Sequence, residues 1–255
     1  MVLLLFVDLD PRLSALDALG GFFVLRTGVP PGGPLPTLAS ACADPRSKTA
    51  SEVYGDPLTF RVQKVVQSIR APEARVAVSV AQQGLAARFW SIALGAAVLC
   101  GQVPDLDPEL LHWDPDAGAP DDLWLREVRF RPVSDLDAVV RAGLLLPLSA
   151  ALRARHRVSP ALLWGNAGSA LAGTVRQLER WALVHDRPDV AERAGALAGP
   201  LFAHPGLAGT LDPDTLRRRS CCLYYRVPGG GVCGDCCFER PPRPPRPPRP
   251  APRRT

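Results

Sequence analysis

Apolar residues recur at helical spacing along much of this chain. In "DPLTFRVQKVVQSIR" they fall at Phe60, Val62, Val65, Val66 and Ile69, the signature of one buried helical face. The pattern predicts further helix through most of Ala71 to Gly101, with Pro72 suited to a first turn and Gly101 to a stop. Gly84 is a candidate break within it. The most apolar run, Phe89 to Cys100, has 12 residues. A membrane span needs roughly 20, so the run reads as a core helix. Ser159 followed by Pro160 is a cap and a first helical proline, and opens "ALLWGNAGSALAGTVRQLERWAL". Gly165, Ser169 and Gly173 lie four apart, so one strip of this helix carries almost no side chain and admits close approach of another backbone. Asn166 beside that strip reads as a satisfied core amide before it reads as a substrate contact. "DVAERAGALAGPLFA" predicts a last helix ending near Pro200.

Elsewhere the pattern is shorter. Leu13 to Val29 predicts a short helix and then a strand at "GFFVLRTG", with "PPGGP" as a loop. Residues 103–122, rich in Pro and Asp, read as loop with one turn. Alternation over Leu123 to Val133 predicts a strand. "SDLD" from Ser134 resembles a capping box, opening a helix that Pro147 interrupts. No repeat appears at a period of 20 to 50 residues. The expected fold class is therefore mainly α: a helical body with a minor β component over 1–212, a cysteine-rich C-terminal appendage over 213–238, and a Pro/Arg tail over 239–255.

Composition changes this picture little: 47% of the 255 residues are apolar, ordinary for a globular protein. Charge changes it more. All five units of the +5 net charge are matched by the five arginines of the acid-free last fifteen residues, "PPRPPRPPRPAPRRT", which leaves a neutral body. A nucleic-acid-binding domain would carry its positive charge on a folded face, so no nucleic acid is expected as a partner. The tail should be extended and polyproline-like, a solubilising end. "MVLLLFVDLD" lacks the charged start and the cleavage site of a signal peptide, so a cytoplasmic location is expected. Reducing compartments keep thiols unpaired, and dense cysteines there point to metal binding or catalysis.

Five of the seven cysteines fall within "RRRSCCLYYRVPGGGVCGDCCF", Arg217 to Phe238. Their spacing is C-C-x10-C-x2-C: Cys221, Cys222, Cys233 and Cys236. The C-x2-C half is a common chelating turn, and the glycines at 229, 230, 231 and 234 allow a tight loop whose bare N–H groups can point at sulfur. The adjacent pair fits a single tetrahedral ion awkwardly, because neighbouring residues of an extended chain face opposite ways. Spacing alone ranks an iron–sulfur cluster first, then zinc, then disulfide or redox thiols. Gly229, Gly231 and Gly234 spell G-x-G-x-x-G but lack the flanking strand and helix of a dinucleotide site. His112, His156, His185 and His204 are scattered and lack ligand spacing.

"RRRSCCLYYRVPGGGVCGDC" closely resembles the C-terminal motif of the FhuF-type siderophore-iron reductases, including the arginine before the cysteine pair, Tyr224–Tyr225 and the "CGDC" turn. Upstream, "RVAVSVAQQGLAARFWSIAL" and "LLWGNAGSAL" look like the helical body of the same family. The resemblance implies a 2Fe–2S cofactor held by Cys221, Cys222, Cys233 and Cys236. It also implies one-electron reduction of siderophore-bound Fe(III), with release of Fe(II). Cys237 departs from the pattern and reads as a spare thiol. Arg217, Arg218, Arg219, Tyr224 and Tyr225 are candidates for tuning or docking. Expected partners are a ferric siderophore and an electron donor of ferredoxin, flavoprotein or NAD(P)H-dependent type, with a peripheral seat on the inner membrane left open. The alternatives are a zinc-stabilised interaction module and, ranked last for want of a nucleotide site, kinship with siderophore-synthesis enzymes.

Overall fold

The computed structural model describes residues 10–30, 33–45 and 54–242. The N-terminal apolar run up to Leu9, part of the "PPGGP" loop and residues 243–255 of the Pro/Arg tail lie outside the described residues. The elements in chain order are α1 (Pro11–Ser14), a 3-10 turn (Ala15–Leu19), β1 (Arg26–Thr27), α2 (Leu38–Cys42), α3 (Pro57–Ile69) and α4 (Ala74–Cys100). Then come β2 (Gln102–Pro104), β3 (Leu111–Trp113), β4 (Leu123–Leu125), β5 (Phe130–Pro132), a 3-10 turn (Val133–Asp135) and a π-helix (Ala138–Leu145). The chain goes on through α5 (Leu146–Arg155), α6 (Pro160–Val184), α7 (Pro188–Ala203) and a last 3-10 turn (Tyr224–Arg226). The architecture is mainly helical with minor sheet.

The core is α4 packed on α6, with α3 and α7 beside them. α4 is apolar on every side, as a central helix must be. It is long and apolar enough to cross a bilayer by length and composition, but 72% of its most apolar stretch is buried inside the protein. Polar contacts fix its register on α6. Trp90 Nε1 donates to Ala167 O at 3.1 Å, Gln82 Nε2 to Leu163 O at 3.3 Å, and Ser91 Oγ lies 3.2 Å from Thr174 Oγ1. The β component is two small sheets, β1-β4-β3 and β2-β5, in which β1 pairs parallel with β4 and the other pairs are antiparallel.

Several local expectations change. Helix α4 runs through Gly84 without a break, since packing on both sides outweighs the roughly 1 kcal/mol that glycine costs a helix. It starts at Ala74, after Pro72, because Glu73 is extended and serves as the cap position; Gly101 ends it in the left-handed region (φ 69°), as expected. Residues 103–122 hold strand β3 and most of β2. The alternation over Leu123 to Val133 is split between two sheets: alternation sets which way side chains point, not which neighbour the backbone pairs with. The "GFFVLRTG" strand shrinks to Arg26–Thr27. Ser134 forms no capping box; its hydroxyl donates to Asp135 Oδ1 at 3.3 Å. Pro147 does not interrupt a helix but stands in the first turn of α5, and the turns before it widen so that Leu146 N–H reaches Arg141 O. Proline has no N–H for an i−4 carbonyl and collides with it, which a π-turn relieves. Helix α7 passes through exposed Pro200 and ends at Ala203, losing one backbone bond in its last turn.

Composition did not single out Arg88. It is 1% exposed, donates Nε to Asp122 Oδ1 at 2.8 Å, and donates to the carbonyls of Gly21 (3.0 Å), Phe22 and Val24 (2.7 Å). One guanidinium thus ties α4 to the Gly21–Val24 loop. Burial pushes the Asp122 carboxyl above the usual carboxylate range, with Arg88 opposing.

Candidate metal centre

The cysteine segment is folded against the body along the bare strip of α6. A Cβ at Gly165 would lie 2.0 Å from Ser220 Oγ, and one at Gly168 would lie 2.5 Å from Thr210 Oγ1. Only glycine leaves room for both. The expected close approach is therefore present, made by two hydroxyl side chains. Ser220 Oγ donates to Ala161 O at 2.8 Å, satisfying a carbonyl in the first turn of the helix.

Arg218 is the main anchor. It is 2% exposed, and its guanidinium donates to Asn166 Oδ1, to Gln83 Oε1 at 3.3 Å and to Ser220 O at 3.2 Å. Asn166, fully buried, donates in turn to Ser79 O at 3.0 Å and Ser79 Oγ at 3.1 Å. It is the satisfied core amide expected, and also the link between α4, α6 and the cysteine segment. The Arg218 backbone N–H bonds Asp235 O at 2.8 Å, joining the two halves of the segment. Arg217 closes it from outside, donating to Cys236 O at 2.9 Å and Phe238 O at 3.2 Å. Tyr225 packs edge-on against Phe238 at 5.9 Å, and Arg226 reaches Glu73 at the start of α4.

These contacts gather the sulfurs. Cys222 and Cys233, eleven residues apart, have sulfurs 3.5 Å from each other. A tetrahedral metal with bonds of about 2.3 Å sets its sulfurs about 3.8 Å apart, so this pair needs little movement to share one iron. Cys221 lies within electrostatic reach of Cys222, Cys236 and Cys237, and Cys233 within reach of Cys236. None of the five is in a disulfide. Among the described residues, no three His, Cys, Asp or Glu side chains converge as a preformed single-ion site. Backbone N–H groups do aim at sulfur, but from Leu223 (to Cys221, 3.2 Å) and Phe238 (to Cys236, 3.4 Å), not from the glycines as expected. Each lies two residues past its cysteine, where a turn brings the N–H back. The glycines serve the turn: Gly229 has φ +73°, and a Cβ on Gly230 would meet Tyr224 O at 2.6 Å.

The thiols differ in acidity. The bond from Cys233, with the Tyr224 N–H and the Arg218 guanidinium, holds Cys222 down to about 6 against its burial; the same bond pushes Cys233 up. Burial raises Cys221, and raises Cys237 to about 11. Four thiols from two short stretches, in a nearly dry seat with N–H donors on sulfur, suit a 2Fe–2S cluster.

Of the other candidates, Arg218 alone is buried; Arg217 and Arg219 are exposed and Tyr224 is 40% exposed. The histidines stay apart: His112 contacts Leu35 O, His185 stacks on Trp181, and His204 accepts from Gly206 N. Sequence reasoning missed Gln83 and Asp235. Asp235 sits inside the "CGDC" turn and is 8% exposed, with one carboxylate oxygen enclosed and unpartnered. Beside it lies a groove of about 350 Å³ whose walls include Cys233, Gly234, Gln83, Ser169 and Gly173.

No curated protein matches this chain. Residues 218–238 match the family model described as the FhuF 2Fe-2S C-terminal domain, so the segment that Arg218 anchors is an iron–sulfur segment of the FhuF type and its cofactor is a 2Fe–2S cluster.

Proposed function

We propose that the protein is a cytoplasmic ferric-siderophore reductase, delivering one electron to siderophore-bound Fe(III) so that the weakly held Fe(II) product leaves the chelate. A cellular donor of ferredoxin, flavoprotein or NAD(P)H-dependent type supplies the electron. The observation that carries this reading is a FhuF-type cysteine segment, all thiols unpaired, seated on a groove open to a small molecule. The ligands are Cys221, Cys222, Cys233 and Cys236. On the sulfur neighbours, Cys222 and Cys233 would hold one iron and Cys221 and Cys236 the other, which lets adjacent cysteines face opposite ways. Bound there, the cluster supplies one-electron chemistry.

The chain's own residues seat and shield. Arg218 places a buried positive charge near Cys221 and Cys222, offsetting the thiolates' negative charge. Arg217 and the Leu223 and Phe238 N–H groups hold the sulfur-bearing backbone. Cys222 and Cys236, each 4% exposed, exclude water from two of the four ligands. No side chain need act as acid, base or nucleophile. Unpaired thiols at this density fit a reducing compartment. Functional domains at 1–212 and 213–238 follow from the same reading, the first a seat for the second.

The test is anaerobic. Protein carrying iron and sulfide in equal amounts, reduced with dithionite and freed of excess, is mixed with a ferric trihydroxamate and a ferrous trap. One ferrous ion should appear per electron stored. Failure with every ferric siderophore tried overturns the reductase; colourless protein with one zinc and no sulfide establishes the interaction module instead.

A further inference from the structure

The groove beside Cys233 lies between α4, α6 and the cysteine segment, and Phe22, 49% exposed, stands at its rim. We propose that this groove is the binding site of the iron chelate, and that Asp235 selects there for a chelate of low net charge. The proposal rests on the reductase reading of the same centre.

Three observations carry it. The first is position. Cys233 and Gly234 form one wall, so any occupant touches the cluster-bearing loop itself. Near Gly173 the space is open: a Cβ there would meet nothing within 4 Å except Arg176 Nη2 at 4.0 Å. The strip that seats the cysteine segment at Gly165 and Gly168 thus continues as a vacant trough at Ser169 and Gly173. A volume of about 350 Å³ falls at the lower end of small-molecule sites, enough for one lobe of a chelate.

The second is Asp235. Its Oδ2 is enclosed and has no hydrogen-bond partner, although the residue is 8% exposed and lines the groove. A buried carboxylate oxygen left alone is costly, so the site favours a ligand that brings an N–H or O–H to it.

The third is charge. Arg176 and Asp235 are the formal charges of the lining and cancel; Gln83, Ser169 and Gln177 add neutral amides and a hydroxyl. A ferric tris-catecholate is trianionic and would meet the carboxylate with no excess of cations to offset it. A ferric trihydroxamate is neutral at the metal, and the secondary amides many carry around it offer N–H groups.

The experiment uses gallium(III) complexes, which bind like the ferric ones but accept no electron. Cluster-loaded full-length protein is titrated anaerobically with gallium trihydroxamate and with gallium tris-catecholate by calorimetry, and the visible spectrum reports cluster content throughout. The expected result is saturable binding of the trihydroxamate and weaker or absent binding of the tris-catecholate. Gly173→Leu fills the trough from a helical position with room for it and should weaken trihydroxamate binding at least about ten-fold. Gln177→Trp does the same from an exposed position, should the first variant fail to fold. Asp235→Asn should cost about ten-fold on the trihydroxamate and narrow the preference over the tris-catecholate. Wild-type affinity in both trough variants overturns the groove. So does wild-type protein that reduces the ferric chelate yet never binds its gallium form, a result that leaves the reductase reading standing. Slower reduction by a protein donor in Gly173→Leu, with chelate binding intact, assigns the groove to the donor and also overturns the proposal. Protein that neither binds nor reduces any chelate sinks both readings.

Discussion

Asn166→Leu tests how the cysteine segment is held. The side chain is fully buried and close in volume to leucine, so the change makes little cavity. What it removes is the acceptor for Arg218 Nη2. The guanidinium keeps Gln83 at 3.3 Å and Ser220 O at 3.2 Å, both long bonds, and cannot reach water at 2% exposure. A lost hydrogen bond to a buried charge costs about 2–3 kcal/mol. The cost falls on docking of the segment more than on the α4–α6 core, where Trp90 and Gln82 still bridge the helices. At 1.4 kcal/mol per factor of ten, the open population of the segment should rise about thirty- to hundred-fold. Native-state hydrogen exchange reads this directly. The Arg218 and Cys236 amides, bonded to Asp235 O and Cys233 O, should exchange faster by that factor, while amides within α6 barely change. Cluster loss to a chelator should accelerate in step. Asn166→Asp, which keeps an acceptor for Arg218, should recover much of the protection. Wild-type exchange at Arg218 and Cys236 in the leucine variant would refute the anchoring argument.

Other consequences are open to simpler assays. Gly165→Val places branched carbons where Ser220 Oγ now sits, and should strip the cluster while far-ultraviolet circular dichroism stays helical. Serine at Cys221, Cys222, Cys233 or Cys236 should abolish or shift the visible spectrum, whereas Cys237→Ser should leave it unchanged; loss of the spectrum in Cys237→Ser alone would move the ligand assignment from Cys236. Arg88→Met leaves the Asp122 carboxylate buried without its partner, at about 3–5 kcal/mol, which lowers the melting temperature of a domain this size by roughly 6–20 °C. Since the Asp122 pKa is already raised by burial, protonation relieves the lone charge, so the deficit of Arg88→Met relative to wild type should narrow as pH falls below neutral. Burial holds the His156 pKa below 6.5, so its stability contribution is present above pH 6.5 and lost as pH falls; His156→Gln should flatten wild-type stability against pH over that range, as denaturant midpoints will show.

How much of this was legible in the sequence depended on whether the signal was local. The cap Ser159–Pro160, the stop at Gly101 and the apolar face of α3 are set within a few residues, and each stands where expected. The cysteine spacing is likewise local, and the family match falls on it. Glycine spacing on α6 announced a close approach but not its partner, because Thr210 and Ser220 are brought there by the chain's path. Arg88, Gln83 and Asp235 were invisible for the same reason. Each is an ordinary polar residue in sequence, and only packing gives it a buried counterpart or, for Asp235, leaves it with an oxygen that has none. The division of Leu123 to Val133 between two sheets was hidden because alternation is the same whichever neighbour supplies the ladder.

The segment's dependence on the body follows from its size. Residues 218–238 contain few buried apolar side chains, Val227 among them, and stretches this short do not fold on a core of their own. A cluster bound to an undocked segment would be exposed to water and oxygen on every side. Docking through buried Arg218, Ser220 on Gly165 and Arg226 on Glu73 makes the helical body the scaffold that fixes the sulfurs before metal arrives. A peptide of residues 213–242 should therefore take up iron and sulfide poorly and lose them quickly, while the full chain with Arg218 intact retains them; equal retention by the two would show that the body is no part of the metal site.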